Sequence, residues 1–123
     1  MPPQPVLATK VANALIQDAA SPLEDSAGIG TAIRRSRDRY GGLWVGGRIT
    51  LTPAELGFSP NAVNRLVHAG DPSFTIPLSA VSRVDVEPGF FTKIIAVTWT
   101  GGVTRFRCYG AARFADRIRA TAG

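Results

Sequence analysis

The sequence predicts a small α+β domain that is mainly β: an antiparallel barrel of about seven short strands, plugged by a C-terminal helix and preceded by two N-terminal helices. Three observations predict it. The chain has 123 residues, 45% of them apolar, which suits one domain around one core. Thirteen glycines and nine prolines fit a turn-rich sheet better than a helical bundle. The apolar period also falls from about 3.6 to about 2 after Gly41-Gly42, and returns to about 3.6 only from Ala111 onward.

Each element follows from its local pattern. Residues 1–8 carry three prolines and read as a flexible arm. Over residues 9–20, Val11, Ala12, Leu15, Ile16 and Ala19 recur at spacings of three and four, which predicts an amphipathic helix. Ser21-Pro22 with Glu24 resembles an N-cap and capping box opening a second helix. Its stripe is Ile29, Ala32, Ile33, Ser36 and Tyr40, and Gly41-Gly42 stops it. Residues 9–40 are therefore expected to be a helical leader, and residues 41–123 the barrel domain.

Alternation predicts strands over residues 43–45, 48–52, 56–58, 74–78, 81–86, 93–100 and 103–109. Residues 59–73 are the longest loop of this region, and Gly101-Gly102 closes a tight hairpin. The final helix, residues 111–121, turns Ala111, Phe114, Ala115 and Ile118 toward the core and leaves Arg113, Arg117 and Arg119 off that stripe. No helix stands between the strands, which excludes a doubly wound fold.

Composition narrows the chemistry. One cysteine, Cys108, excludes an internal disulfide and a cysteine zinc cluster, and one histidine, His68, removes most histidine-based sites. No metal and no cofactor is expected. The formal charge is +5, carried by twelve arginines and only two lysines. A guanidinium fork matches phosphate oxygens, so phosphate-bearing partners are the natural class. No apolar run reaches the roughly 18 to 20 residues that a membrane span requires. The first twenty residues lack the pattern of a secretory signal. The expected location is the cytoplasm, with peripheral attachment at the inner face of the membrane as a variant.

Arg34, Arg35, Arg37 and Arg39 form the densest cationic cluster, interrupted by Asp38, and Arg113 and Arg117 extend it from the last helix. They read either as a face for lipid phosphates or nucleic acid, or as the solvated side of a packed helix. In the long loop, Asn64, Arg65 and His68 are candidate polar contacts, but Ser59 and Ser73 match no nucleophile motif there. Gly28-Ile29-Gly30 lacks the preceding strand of a phosphate-cradling loop, and Ile33 stands where its third glycine belongs. Cys108 lies on the side of Phe106 and reads as a buried small residue, and Trp99 as core. Trp44, beside glycines, reads as core or as an exposed anchor. The helix expected over residues 9–20 carries one lysine and no aromatic residue, which suits docking on its own barrel or on a second copy better than on a membrane.

Several ordered motifs resemble the small bacterial form of the GRAM domain, a branch of the pleckstrin-homology-like fold. They are the run from Gly46-Gly47 through Ile49-Thr50-Leu51-Thr52, then Leu56-Gly57-Phe58-Ser59-Pro60-Asn61, with Asn64 in the loop that follows. Ile76-Pro77-Leu78-Ser79-Ala80-Val81, Gly89 to Lys93, and Arg105-Phe106-Arg107 ahead of Phe114 and Ile118 complete the set. The leader of residues 9–40 stands where the family has its first strand, and no basic motif is read between two successive early strands.

The resemblance implies a binding module rather than an enzyme, with lipid phosphates or proteins as partners. The function expected is a non-enzymatic adaptor that meets a protein partner or an anionic surface through its arginine-rich face. The alternative is a nucleic-acid-binding protein using the same arginines, and a small hydrolase around His68 is the third reading.

Overall fold

The computed structural model describes residues 5–16, 43–61, 73–89 and 92–123. Seven strands form one antiparallel sheet: β1 (Ala8–Ile16), β2 (Leu43–Leu51), β3 (Glu55–Pro60), β4 (Phe74–Pro77), β5 (Val81–Glu87), β6 (Ile94–Trp99) and β7 (Gly102–Arg107). Their spatial order is β4-β3-β2-β1-β7-β6-β5. A single 3₁₀ turn, Leu78–Ala80, joins the two outermost strands, and helix α1 (Ala111–Ala122) packs on β5, β6 and that turn.

The first helix expected in the leader is overturned over residues 9–16, which form β1. It pairs along its whole length with β2, from Ala8 opposite Leu51 to Ile16 opposite Leu43, and with β7 from Asn13 opposite Arg107 to Leu15 opposite Arg105. Positions 8, 10, 12, 14 and 16 face the core side, and Ala12 and Ala14 are buried. Pairing on both edges supplies the backbone hydrogen bonds that a helix would have made internally, and overrides local periodicity. The arm is also shorter than expected: Ala8 already belongs to β1, and the Leu7 amide donates to the Leu51 carbonyl at 2.8 Å. The second expected helix, residues 21–40, lies outside the described residues.

The two strands expected over residues 43–45 and 48–52 are one strand, β2. Gly46-Gly47 does not break it, because Gly47 is where β3 crosses closely. A Cβ on Gly47 would run into the Ser59 carbonyl and stand 2.8 Å from the Pro60 Cα. Thr52 then shapes the β2–β3 turn, its Oγ1 accepting from the amides of Ala54 at 3.3 Å and Glu55 at 3.1 Å. In the β6–β7 hairpin Trp99 faces Gly102, so the loop residues are Thr100 and Gly101.

The core lies between the sheet and α1. Val45, Ile49, Leu51, Leu56, Ile76, Ile95, Val97 and Phe106 are fully buried, and Phe114, Ala115 and Ile118 close over them as the helix stripe predicts. Phe106 and Phe114 meet edge to face with centroids 6.1 Å apart, and Phe58 stacks on Phe74 at 5.3 Å. Cys108 is buried, as expected. Trp99 is half-buried against the core and donates its indole N–H to Thr104 Oγ1 at 2.9 Å.

Candidate functional site: a lysine corner beside the helix start

Register decides which connections meet. β7 runs antiparallel to β1, so the β7–α1 turn arrives at the end of β1 that holds Lys10. Ile94 opens β6 opposite Arg107, so the β5–β6 connection, with Lys93, arrives at the same end. The two lysines of the chain, 83 positions apart in sequence, thus approach one corner.

Gly110 makes this approach possible. It precedes α1 at φ 69°, a left-handed conformation that favours glycine, and a Cβ there would stand 3.4 Å from the Lys10 ammonium. Among the described residues no side chain caps the start of α1, and its first turn holds no acid. The amides of Ala111, Ala112 and Arg113 have no carbonyl partner inside the helix, and the first helical bond is Phe114 N–H to Gly110 O at 3.0 Å. Beside them lies an open cavity of about 300 Å³ whose described lining, Thr92, Lys93, Cys108, Tyr109, Gly110, Ala111 and Ala112, holds no carboxylate. Tyr109 is 81% exposed at its rim. Two ammonium groups and a helix start make this corner favourable to an anion. Burial pushes the Cys108 thiol pKa up, and nearby Lys10 pulls it partly back. The thiol therefore stays protonated at neutral pH and is a poor nucleophile.

The arginines of the described residues are largely engaged elsewhere. Arg105 donates to Glu87 through Nε at 2.9 Å, and this bond raises its guanidinium pKa against the opposing effect of burial. Arg107 lies over the Trp44 ring, 4.5 Å from the centroid, so half-buried Trp44 is covered by a cation rather than presented as an anchor. Arg83 pairs with Asp85 at 2.7 Å. Arg119 reaches from α1 to the Val84 carbonyl.

Of the residues singled out from sequence, Arg113 and Arg117 are exposed on α1, one turn apart. Arg34, Arg35, Arg37, Arg39, Asn64, Arg65 and His68 lie outside the described residues, as does Gly28-Ile29-Gly30. The assignment of β1 nevertheless changes their chain position. Residues 17–42 fall in sequence between the neighbouring strands β1 and β2, and the arginine cluster with them. That connection and the one carrying Asn64, Arg65 and His68 leave β1–β2–β3 at the same end, opposite the lysine corner. Sequence reasoning missed Lys10 and Lys93. Lys93 stands at the start of an expected strand, but Lys10 falls in the expected helix, and only the register brings the two together.

Among the described residues no group of three or more His, Cys, Asp and Glu is arranged to hold a metal, and no helix is long and apolar enough to cross a membrane. No protein-family model and no curated protein matches the chain. Solved structures do. The C-terminal domain of an unknown protein from Leishmania infantum is similar over 97% of this chain and 84% of that one, with a TM-score of 0.61 and 10% identity. The Vps36 N-terminal PH domain is similar over 97% of this chain and 79% of that one, with a TM-score of 0.58 and 10% identity. At this identity the likeness establishes the fold: mainly β, pleckstrin-homology-like, with the C-terminal helix.

Proposed function

We propose that this protein is a non-enzymatic binding module of the pleckstrin-homology-like fold that holds a phosphate-bearing partner, a lipid surface or a protein. One observation carries the reading: Lys93 and the uncapped start of α1 line a single cavity with no carboxylate among its described lining residues, and the Lys10 ammonium lies beside Gly110 of that lining. Such a corner attracts an anion through charge and through oriented amide donors at once. The cationic residues Arg34, Arg35, Arg37 and Arg39, in the β1–β2 connection, with Arg113 and Arg117 on α1, supply the second half of the reading. As part of the net charge of +5 they strengthen the long-range attraction to an anionic partner. The protein would then work as a cytoplasmic adaptor, held peripherally at a phosphate-rich surface, with no cofactor.

Co-sedimentation with vesicles of graded anionic phospholipid content, at low and physiological salt, tests this beside a duplex-DNA shift assay. The expected result is vesicle binding that Lys10→Glu with Lys93→Glu abolishes and that charge reversal at Arg34, Arg35, Arg37 and Arg39 weakens. Binding to DNA alone, weakening steeply with salt, replaces the reading with nucleic-acid binding. Silence in both assays removes the lipid surface and leaves an acidic protein partner.

A further inference from the structure

The sheet has two edges, and β5 is one of them: β6 pairs with one side, and no strand among the described residues pairs with the other. The Val84 carbonyl points to that open side, because Arg119 of α1 donates to it through Nε at 2.9 Å and Nη2 at 2.7 Å. In an antiparallel ladder a residue directs its N–H and C=O the same way, so Val84 and Val86 offer both groups at the open edge. The side chains of Arg83 and Asp85 stand on the outer face, 73% and 40% exposed, and pair with each other at 2.7 Å. Beside this edge, a cavity of about 360 Å³ lies between the strand and the end of α1, lined by Val81, Ser82, Arg83, Val84, Arg119, Ala122 and Gly123.

The geometry points to β5 as a self-association edge: a second copy of this chain pairs its own β5 antiparallel, with the two-fold axis at Val84 and Arg83 opposite Asp85 of the second copy. The occupant follows from the charges. With Val84 facing Val84, both Arg83–Asp85 oppositions fall on positions without backbone bonds between the two copies, where Cα atoms approach to about 4.5 Å and side chains meet. A shift of two residues in one direction sets Arg83 against Arg83, and in the other Asp85 against Asp85. Only the centred register joins opposite charges without a like-charge pair. An edge with free donors and acceptors is itself a template for another strand.

Arg119 is the latch. While its guanidinium occupies the Val84 carbonyl, the bond that the second copy would make there is taken, and Asp116 holds Arg119 Nη1 at 2.7 Å. Pairing releases Arg119 and replaces it with the Val84 N–H of the second copy.

Sedimentation equilibrium of the full chain tests this with four proteins: wild type, Arg83→Asp, Asp85→Arg and Arg119→Ala. The charge variants alter exposed side chains, and Arg119→Ala exchanges a partly exposed bond for water. Wild type is expected to dimerise with concentration, and each single charge variant to lose about tenfold or more in affinity. An equimolar mixture of Arg83→Asp and Asp85→Arg recovers the dimer, because each strand again faces its opposite charge. Arg119→Ala raises the dimer fraction. A protein that stays monomeric at every accessible concentration, with and without Arg119→Ala, overturns the proposal. So does a mixture that does not recover association, or a dimer indifferent to both charge variants.

Discussion

The two edges of the sheet are guarded by different means. β4 is four residues long and ends in Pro77, which has no N–H to offer a further strand. β5 is seven residues long, with no proline, and its outward-pointing Val84 carbonyl is covered by one side chain from α1. The β4 edge is blunted at Pro77 by covalent structure, while the β5 edge is covered at Val84 by a contact that can let go. Whatever holds α1 in place therefore also governs the longer edge.

Three measurements press on this contrast. The largest expected effect is Phe114→Ala, which removes the aromatic anchor of α1 from Phe106 and should cost about 4 kcal/mol in a urea melt. Amide exchange should rise more at β5 than at β4, and equal loosening at both edges would break the comparison. Gly47→Val attacks the other side, forcing β3 away from β2, and should cost about 2 kcal/mol or more, with exchange rising first at β3 and β4. Smallest is a pH effect at the base of α1. The folded thiol pKa of Cys108 lies above its unfolded value, so the folded state keeps its proton longer. Stability is unaffected below the ordinary thiol pKa of about 8.5 and falls as pH rises above it. The melting temperature of wild type should decline in that range more steeply than that of Cys108→Ala.

Much of the β5 side was legible in the sequence. The Ala111, Phe114, Ala115, Ile118 stripe marks α1, and the alternation of Ile95, Val97 and Trp99 marks β6, because bulky residues there face the core. β1 was misread for the opposite reason. Its core-side positions are Ala8, Lys10, Ala12, Ala14 and Ile16, mostly small, while Val11 is 73% exposed on the other face. The bulky residues at 11, 15 and 16 therefore imitate a helical stripe. Gly46-Gly47 read as a break because the need for a glycine at Gly47 comes from β3, which nothing local announces. The lysine corner was illegible for a related reason: it exists only through the β1–β7 register. Of the arginines, sequence separated Arg119 from the core correctly but gave no hint of its carbonyl partner.

That same register has a temporal consequence. β1 is the first strand among the described residues, yet its second neighbour is β7, with Asn13 opposite Arg107. During synthesis the amino-terminal strand must wait for nearly the whole domain to emerge before that side of it is hydrogen-bonded. Contacts so distant in sequence make folding slow relative to a locally connected domain of this size. A ribosome-bound nascent chain lacking β7 would carry β1 with one open side, a natural docking strand for chaperones until the last hairpin arrives.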